Sequence, residues 1–96
     1  GYLGVGIQPA RLPAPLAEEL GQKTAALIVS VESGSPAEKG GLFMGDTIVA
    51  LDGHNIDDME SLLASLSGTR IGATVPVRIV RGGQVHEVSV TIGERA

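Results

Sequence analysis

The stretch Ser33-Gly-Ser-Pro-Ala-Glu-Lys-Gly-Gly-Leu-Phe-Met-Gly-Asp-Thr-Ile-Val-Ala-Leu-Asp-Gly53 decides the fold. Pro36 has its φ preset and no N–H to lose, which suits the first position of a helix. Gly40 and Gly41 supply the left-handed residue that ends one. After Gly45-Asp46, the run Thr47-Ile-Val-Ala-Leu51 is β-branched and apolar enough to read as a buried strand. Asp52-Gly53 is a hairpin-type turn signal. The stretch therefore predicts a turn, one short helix, a glycine stop and a core strand in immediate succession.

Working outward, Tyr2-Leu-Gly-Val-Gly-Ile-Gln8 alternates, with Leu3, Val5 and Ile7 on one face. It predicts a strand whose ladder Pro9 limits. Pro13-Ala-Pro15 precedes a short helix over Leu16–Leu20 that Gly21 closes. Ala25–Val31 is a nearly continuous apolar strand. Asp57–Leu66 reads as a helix with Gly68 just past its end, Asp57 as its cap and Glu60 completing a capping box. Thr74–Arg81 and Gln84–Ile92 alternate around Gly82-Gly83, a two-residue hairpin. Together these predict one α+β domain over residues 1–96: a small five- to six-stranded antiparallel, barrel-like sheet capped by two main helices.

Composition narrows the function. Aromatics are only 2% of the chain against 43% hydrophobic residues, so the core must be aliphatic. Without cysteine there are neither disulfides nor thiolate metal sites. A net charge of −4 with seven scattered basic residues argues against nucleic acid. No apolar run approaches the roughly 20 residues that cross a bilayer, so direct membrane insertion of this domain is not expected. The chain begins at Gly1 without methionine, as a piece of something longer would. His54 and His86, the two histidines, have no metal-ligand spacing, and no serine lies in a G-x-S-x-G setting. Gly4-Val-Gly6 lacks the strand–turn–helix context of a dinucleotide loop, and there is no phosphate-binding loop. Glu38, Lys39 and Arg81 read as solvated charges. No catalytic residue, metal or cofactor is expected.

The central pattern S-x-S-P-A-x-x-x-G-L-x-x-G-D-x-I-x-x-x-x-G resembles the centre of a PDZ domain, most closely the type appended to bacterial HtrA (Deg)-type serine proteases. That resemblance implies a peptide-binding module rather than an autonomous enzyme. It sets Tyr2-Leu3-Gly4-Val5 in the place of the family's carboxylate-binding loop, where successive amides hold the terminal carboxylate of a ligand. It implies that the strand through Gly6, Ile7 and Gln8 pairs with the ligand for about three or four residues, until Pro9 removes an amide hydrogen. The facing wall is the 58–66 helix, with Met59, Leu63 and Leu66 on one stripe and Leu62 towards the core.

Where many relatives place a histidine that selects Ser or Thr two residues before the ligand's end, this chain has Met59, which implies an apolar preference there. The resemblance further implies the permuted strand arrangement of bacterial members, with Val88–Ile92 filling the place before the loop. Partners implied are C-terminal or unfolded apolar peptides and an attached protease domain, in the periplasm or tethered to the inner membrane. Other parents are a site-2-type metalloprotease, a tail-specific protease or a secretion protein. A purely structural module for oligomer contacts is the alternative from another class. Phe43 reads as packed beneath its loop, with an exposed docking point for Phe43-Met44 as the other possibility.

Overall fold

A computed structural model describes residues 1–94. Six strands and three helices follow one another as β1 (Val5–Arg11), α1 (Ala14–Leu20), β2 (Thr24–Val31), α2 (Pro36–Gly40), β3 (Thr47–Leu51), β4 (His54–Asn55), α3 (Met59–Ser67), β5 (Thr74–Arg81) and β6 (Gln84–Thr91). All pairings are antiparallel, in the order β1-β2-β3-β5-β6, with β4 attached to β3.

This is the antiparallel, barrel-like sheet expected, and it is not closed. Among the described residues its two ends meet where Tyr2 and Gly93 form an isolated bridge, exchanging bonds of 2.8 and 3.1 Å. Closing the sheet would consume the outer side of β1, which instead faces α3. The C-terminal strand is nevertheless built into the core. β6 pairs with β5 along its whole length, Val90 and Ile92 are buried, and Gly93 delivers the chain to Tyr2.

The central stretch folds largely as its residues dictate. Ser35 caps α2 by accepting the Glu38 N–H, Pro36 opens the helix, and Gly41 ends it at φ 89°. Gly40 lies inside that last turn for a different reason: a Cβ there would sit 2.6 Å from the Val90 side chain. Ile48, Val49 and Leu51 are buried, and Asp52 and Gly53 both take positive φ to turn β3 into β4.

The main core is aliphatic, gathering Ile28, Leu42, Ile48, Leu51, Ile56, Val77, Ile79 and their neighbours, with Leu62 and Leu66 supplied by α3. A smaller cluster of Leu12, Ala25, Val49 and Val80 is covered by Leu16, Ala17 and Leu20 of α1. No helix among the described residues is long and apolar enough to cross a membrane.

The first helix starts at Ala14 rather than Leu16, and two further differences from the sequence reading bear on the site. The first strand does not span Tyr2–Gln8; it starts at Val5 and continues through Pro9 to Arg11. Leu3 and Gly4 belong instead to a loop, with Gly4 at φ 91°. The cap of α3 is Asp58, not Asp57, and Ser61 rather than Glu60 closes the box. Ser61 wins because its short hydroxyl accepts the N–H groups of both Asp57 and Asp58, while Asp58 Oδ1 accepts the Ser61 N–H at 2.8 Å.

Candidate functional site

The loop before β1 is held by its carbonyls. Tyr2 O accepts from Gly93 N–H, Leu3 O from Ala37 N–H at 2.9 Å, and Gly4 O from Glu32 N–H at 2.8 Å. In a trans peptide the carbonyl and the following N–H point to opposite sides. Anchoring three successive carbonyls therefore turns the N–H groups of Leu3, Gly4 and Val5 the other way. Among the described residues the Leu3 and Gly4 amides have no acceptor. Such a row of amides is a concavity suited to an anion.

Gly4 is required twice over. Its φ lies in the left-handed region, and a Cβ would fall 2.3 Å from Ser35 Cβ. The close approach of this loop is therefore to Ser35, the same residue that caps α2.

These amides open onto a groove of about 440 Å³ between the loop and α3. Tyr2, Leu3, Gly4 and Val5 line one wall, and Met59, Leu63 and Leu66 the other. Seven of the residues singled out in the sequence are therefore together. Gly6, Ile7 and Gln8 continue β1 beyond the groove and do not line it. Gly6 lies so close to β2 that a Cβ would meet Ser30 Oγ at 2.4 Å.

Within the helix the stripe is uneven. Leu63 is 57% exposed and Met59 39%, whereas Leu66 is buried. An exposed leucine facing a cleft is surface left uncovered. Leu62 is buried as expected of a core residue, yet it also forms groove floor.

Ile71, Gly1, Glu32 and Glu94 complete the lining and were not anticipated. The signal for Ile71 is faint: one large apolar residue, 54% exposed, in the polar loop after α3. Glu32 and Glu94 put carboxylates at the rim, so amide dipoles rather than a side-chain cation would have to hold an anion there.

Away from the groove, two sequence expectations are overturned together. Arg81 is not a solvated charge. Its Nε and Nη2 donate to the two carboxylate oxygens of Asp46 at 2.8 and 2.6 Å, and Nη2 also donates to Gly41 O. Asp46 is buried, and its Oδ2 accepts the Phe43 N–H at 2.9 Å. Burial alone pushes the Asp46 carboxyl up, but the Arg81 and Phe43 donors outweigh it and hold it below the ordinary carboxylate range.

Nor does Phe43 pack beneath its loop. It is 59% exposed and Met44 71%. The turn closed by Asp46 N–H to Phe43 O sends the ring outward, where the Arg81 guanidinium lies 4.8 Å from its centroid. His54 lies in the short β4 and His86 on β6, both exposed.

Known proteins share this architecture. Residues 1–92 match a family described as PDZ domain. A Rhizobium meliloti (strain 1021) protein named "Probable periplasmic serine endoprotease DegP-like" is 39% identical over 97% of this chain but only 18% of its own length. A protein of the same name from Chlamydia trachomatis serovar D is 37% identical over 96% of this chain, again 18% of the relative. The chain thus spans less than a fifth of either. Among solved structures, the HtrA-type protease AlgW with decapeptide superposes with a TM-score of 0.81 and 30% identity over all of this chain and 30% of that one. The HtrA3 PDZ domain bound to a phage-derived ligand (FGRWV) shares the fold, with a TM-score of 0.71 at 21% identity over 94% of this chain and 82% of that one.

Proposed function

The chain belongs to the PDZ domain family, and from that premise we propose that its groove captures the C-terminal residues of other polypeptides as an added strand, in the service of an HtrA-type serine protease of which it is one part. The observation that carries this reading is the row of three amides at Leu3–Val5 turned into an apolar groove by anchored carbonyls. A ligand carboxylate accepts from these amides. The ligand backbone then runs antiparallel to β1, and its last side chain enters the space between Leu3, Val5, Leu63 and Leu66. Met59, which can offer no strong hydrogen bond, favours an apolar side chain two residues before the ligand's end over Ser or Thr.

Catalysis lies outside these residues in this reading, and the domain presents substrate or regulates. The relatives named periplasmic support an extracytoplasmic setting.

The test is a calorimetric titration with apolar peptides carrying free or amidated C-termini. Free carboxylates are expected to bind, and amidation to weaken binding about tenfold or more, given charge-assisted hydrogen bonds of about 1.5–3 kcal/mol. Equal affinity in the two series would remove the carboxylate role. No binding in either would favour a structural module.

A further inference from the structure

The open side of β1 is not uniform along its length. With Gly4 O bonded to Glu32 N–H, the Val5 N–H faces away from β2. Farther along, Ile28 turns both its groups towards the β3 side, its N–H donating to Asp46 O at 2.8 Å and its C=O accepting from Gly45 N–H at 2.9 Å. Alternation then aims the groups of Leu27 at β1. Leu27 stands opposite Gln8, so Gln8 bonds into the sheet while Ile7 and Pro9 face out. The irregularity between Gly6 and Ile7 is absorbed on β2, and the outward row on β1 remains Val5, Ile7, Pro9.

This arrangement explains why a proline is tolerated inside β1. Its missing N–H lies on the unpaired side, so the β1–β2 ladder loses nothing. The same fact makes the open edge stop abruptly. Val5 and Ile7 each offer a donor and an acceptor, whereas Pro9 offers only a carbonyl and puts its ring where a donor would be.

We propose that Pro9 sets the length of ligand backbone read by the open β1 edge, which runs on beyond the groove. The inference rests on the strand-addition reading given above. In an antiparallel added strand the ligand's last residue lies opposite Val5, the third-from-last opposite Ile7 and the fifth-from-last opposite Pro9. The first two pairs exchange bonds in the ordinary way. The fifth-from-last carbonyl finds no donor and meets the Pro9 ring, which holds that residue away from the Pro9 carbonyl, so residues beyond the fourth add little affinity through their backbone. The ligand class is therefore a short C-terminal tail, read over three to four residues, that can project from an otherwise folded or bulky chain.

The test uses free-carboxylate peptides sharing the C-terminal tripeptide Leu-Ala-Val and extended with alanine to four, five and seven residues, so that added length is almost entirely backbone. For the unmodified chain the dissociation constant is expected to level off at four residues, changing less than about twofold thereafter. In Pro9→Val and Pro9→Ala a donor returns, and the step from four to five residues is expected to gain about three- to tenfold.

A peptide-side measurement keeps the test independent of how those variants fold. Replacing the amide after the fifth-from-last residue by an ester, which weakens that carbonyl as an acceptor, should leave binding to the unmodified chain unchanged. Affinity that keeps rising to seven residues, an ester effect in the unmodified chain, or no extra gain in folded Pro9 variants would each overturn the role of Pro9 while leaving the groove intact. Failure of every peptide to bind would overturn the groove reading itself and the inference with it.

Discussion

The loop at Leu3–Val5 and the corner at Phe43–Asp46 are both tight backbone turns beside a glycine of positive φ, yet they treat their polar groups in opposite ways. In the first, the carbonyls are anchored and the amides are left facing an apolar groove. In the second, the buried charge is satisfied internally: Asp46 takes the Phe43 N–H and both Arg81 contacts, and Arg81 also reaches Gly41 O. Buried polar groups are costly without partners, so an arrangement that exposes unpaired amides in a half-enclosed groove is one suited to receiving a partner. The corner forms no groove, and the ring it exposes is already covered on one face by a guanidinium.

The harshest way to break this contrast is Gly4→Ala. The new methyl must occupy a left-handed residue and overlap the Ser35 side chain, so a loss of about 3 kcal/mol in stability is expected, with peptide binding abolished. Chemical denaturation and titration check the two halves, and a fully stable, fully binding variant would refute the pinned-loop account.

Asp46→Ala should cost about 2–3 kcal/mol by leaving the Phe43 amide and the Arg81 guanidinium without their buried acceptor. Its effect should fall on denaturation alone, with affinity per folded molecule retained. Because the folded Asp46 carboxyl titrates below its unfolded value, its stabilising contribution is complete above about pH 4 and is lost as pH falls through the folded value. Acid denaturation should therefore be steeper in the native sequence than in Asp46→Asn.

Leu63→Ala sharpens the contrast from the groove side. An exposed side chain in the isolated domain should cost no more than about 0.5 kcal/mol of stability, while peptide affinity drops about five- to tenfold. The smallest effect belongs to Phe43→Ser, which should change stability by less than about 1 kcal/mol and leave peptide binding unaltered. A cost of several kcal/mol would mean that the ring is packed inside after all.

Much of the fold was legible because its signals are local. Pro36, Gly41, Asp52-Gly53 and Gly82-Gly83 each satisfy a conformational demand made by their own few residues, and the structure uses all of them. The alternation of β5 likewise reports a pleat with one buried face, whereas in β6 only the C-terminal half follows it, with Val90 buried and Val85 exposed. The two boundary errors that bear on the site came from competition between neighbours of equal propensity. Asp57 and Asp58 both qualify as caps, and only the placement of the Ser61 hydroxyl chooses between them. Leu3 alternates with Val5 as strand residues do, but anchoring of its carbonyl to α2 pulls it out of the ladder. In the groove, Met59, Leu63 and Leu66 were visible as a helical stripe, whereas Ile71, Glu32 and Glu94 arrive from separate segments that no periodicity connects.

The sequence by itself determined the turns, the aliphatic core and the membership of the central stretch in a recognisable pattern. Each follows from steric limits and burial preferences that act over a few residues. Tertiary structure alone decided which side of β1 stays open, on which side the missing Pro9 amide falls, and that Arg81 finds Asp46 across 35 positions of chain while Phe43 turns outward. Those outcomes depend on strand register and on which distant group reaches a buried carboxylate first. Neither is encoded in any short window, because a one-residue change of register reverses every outward-facing group on the strand.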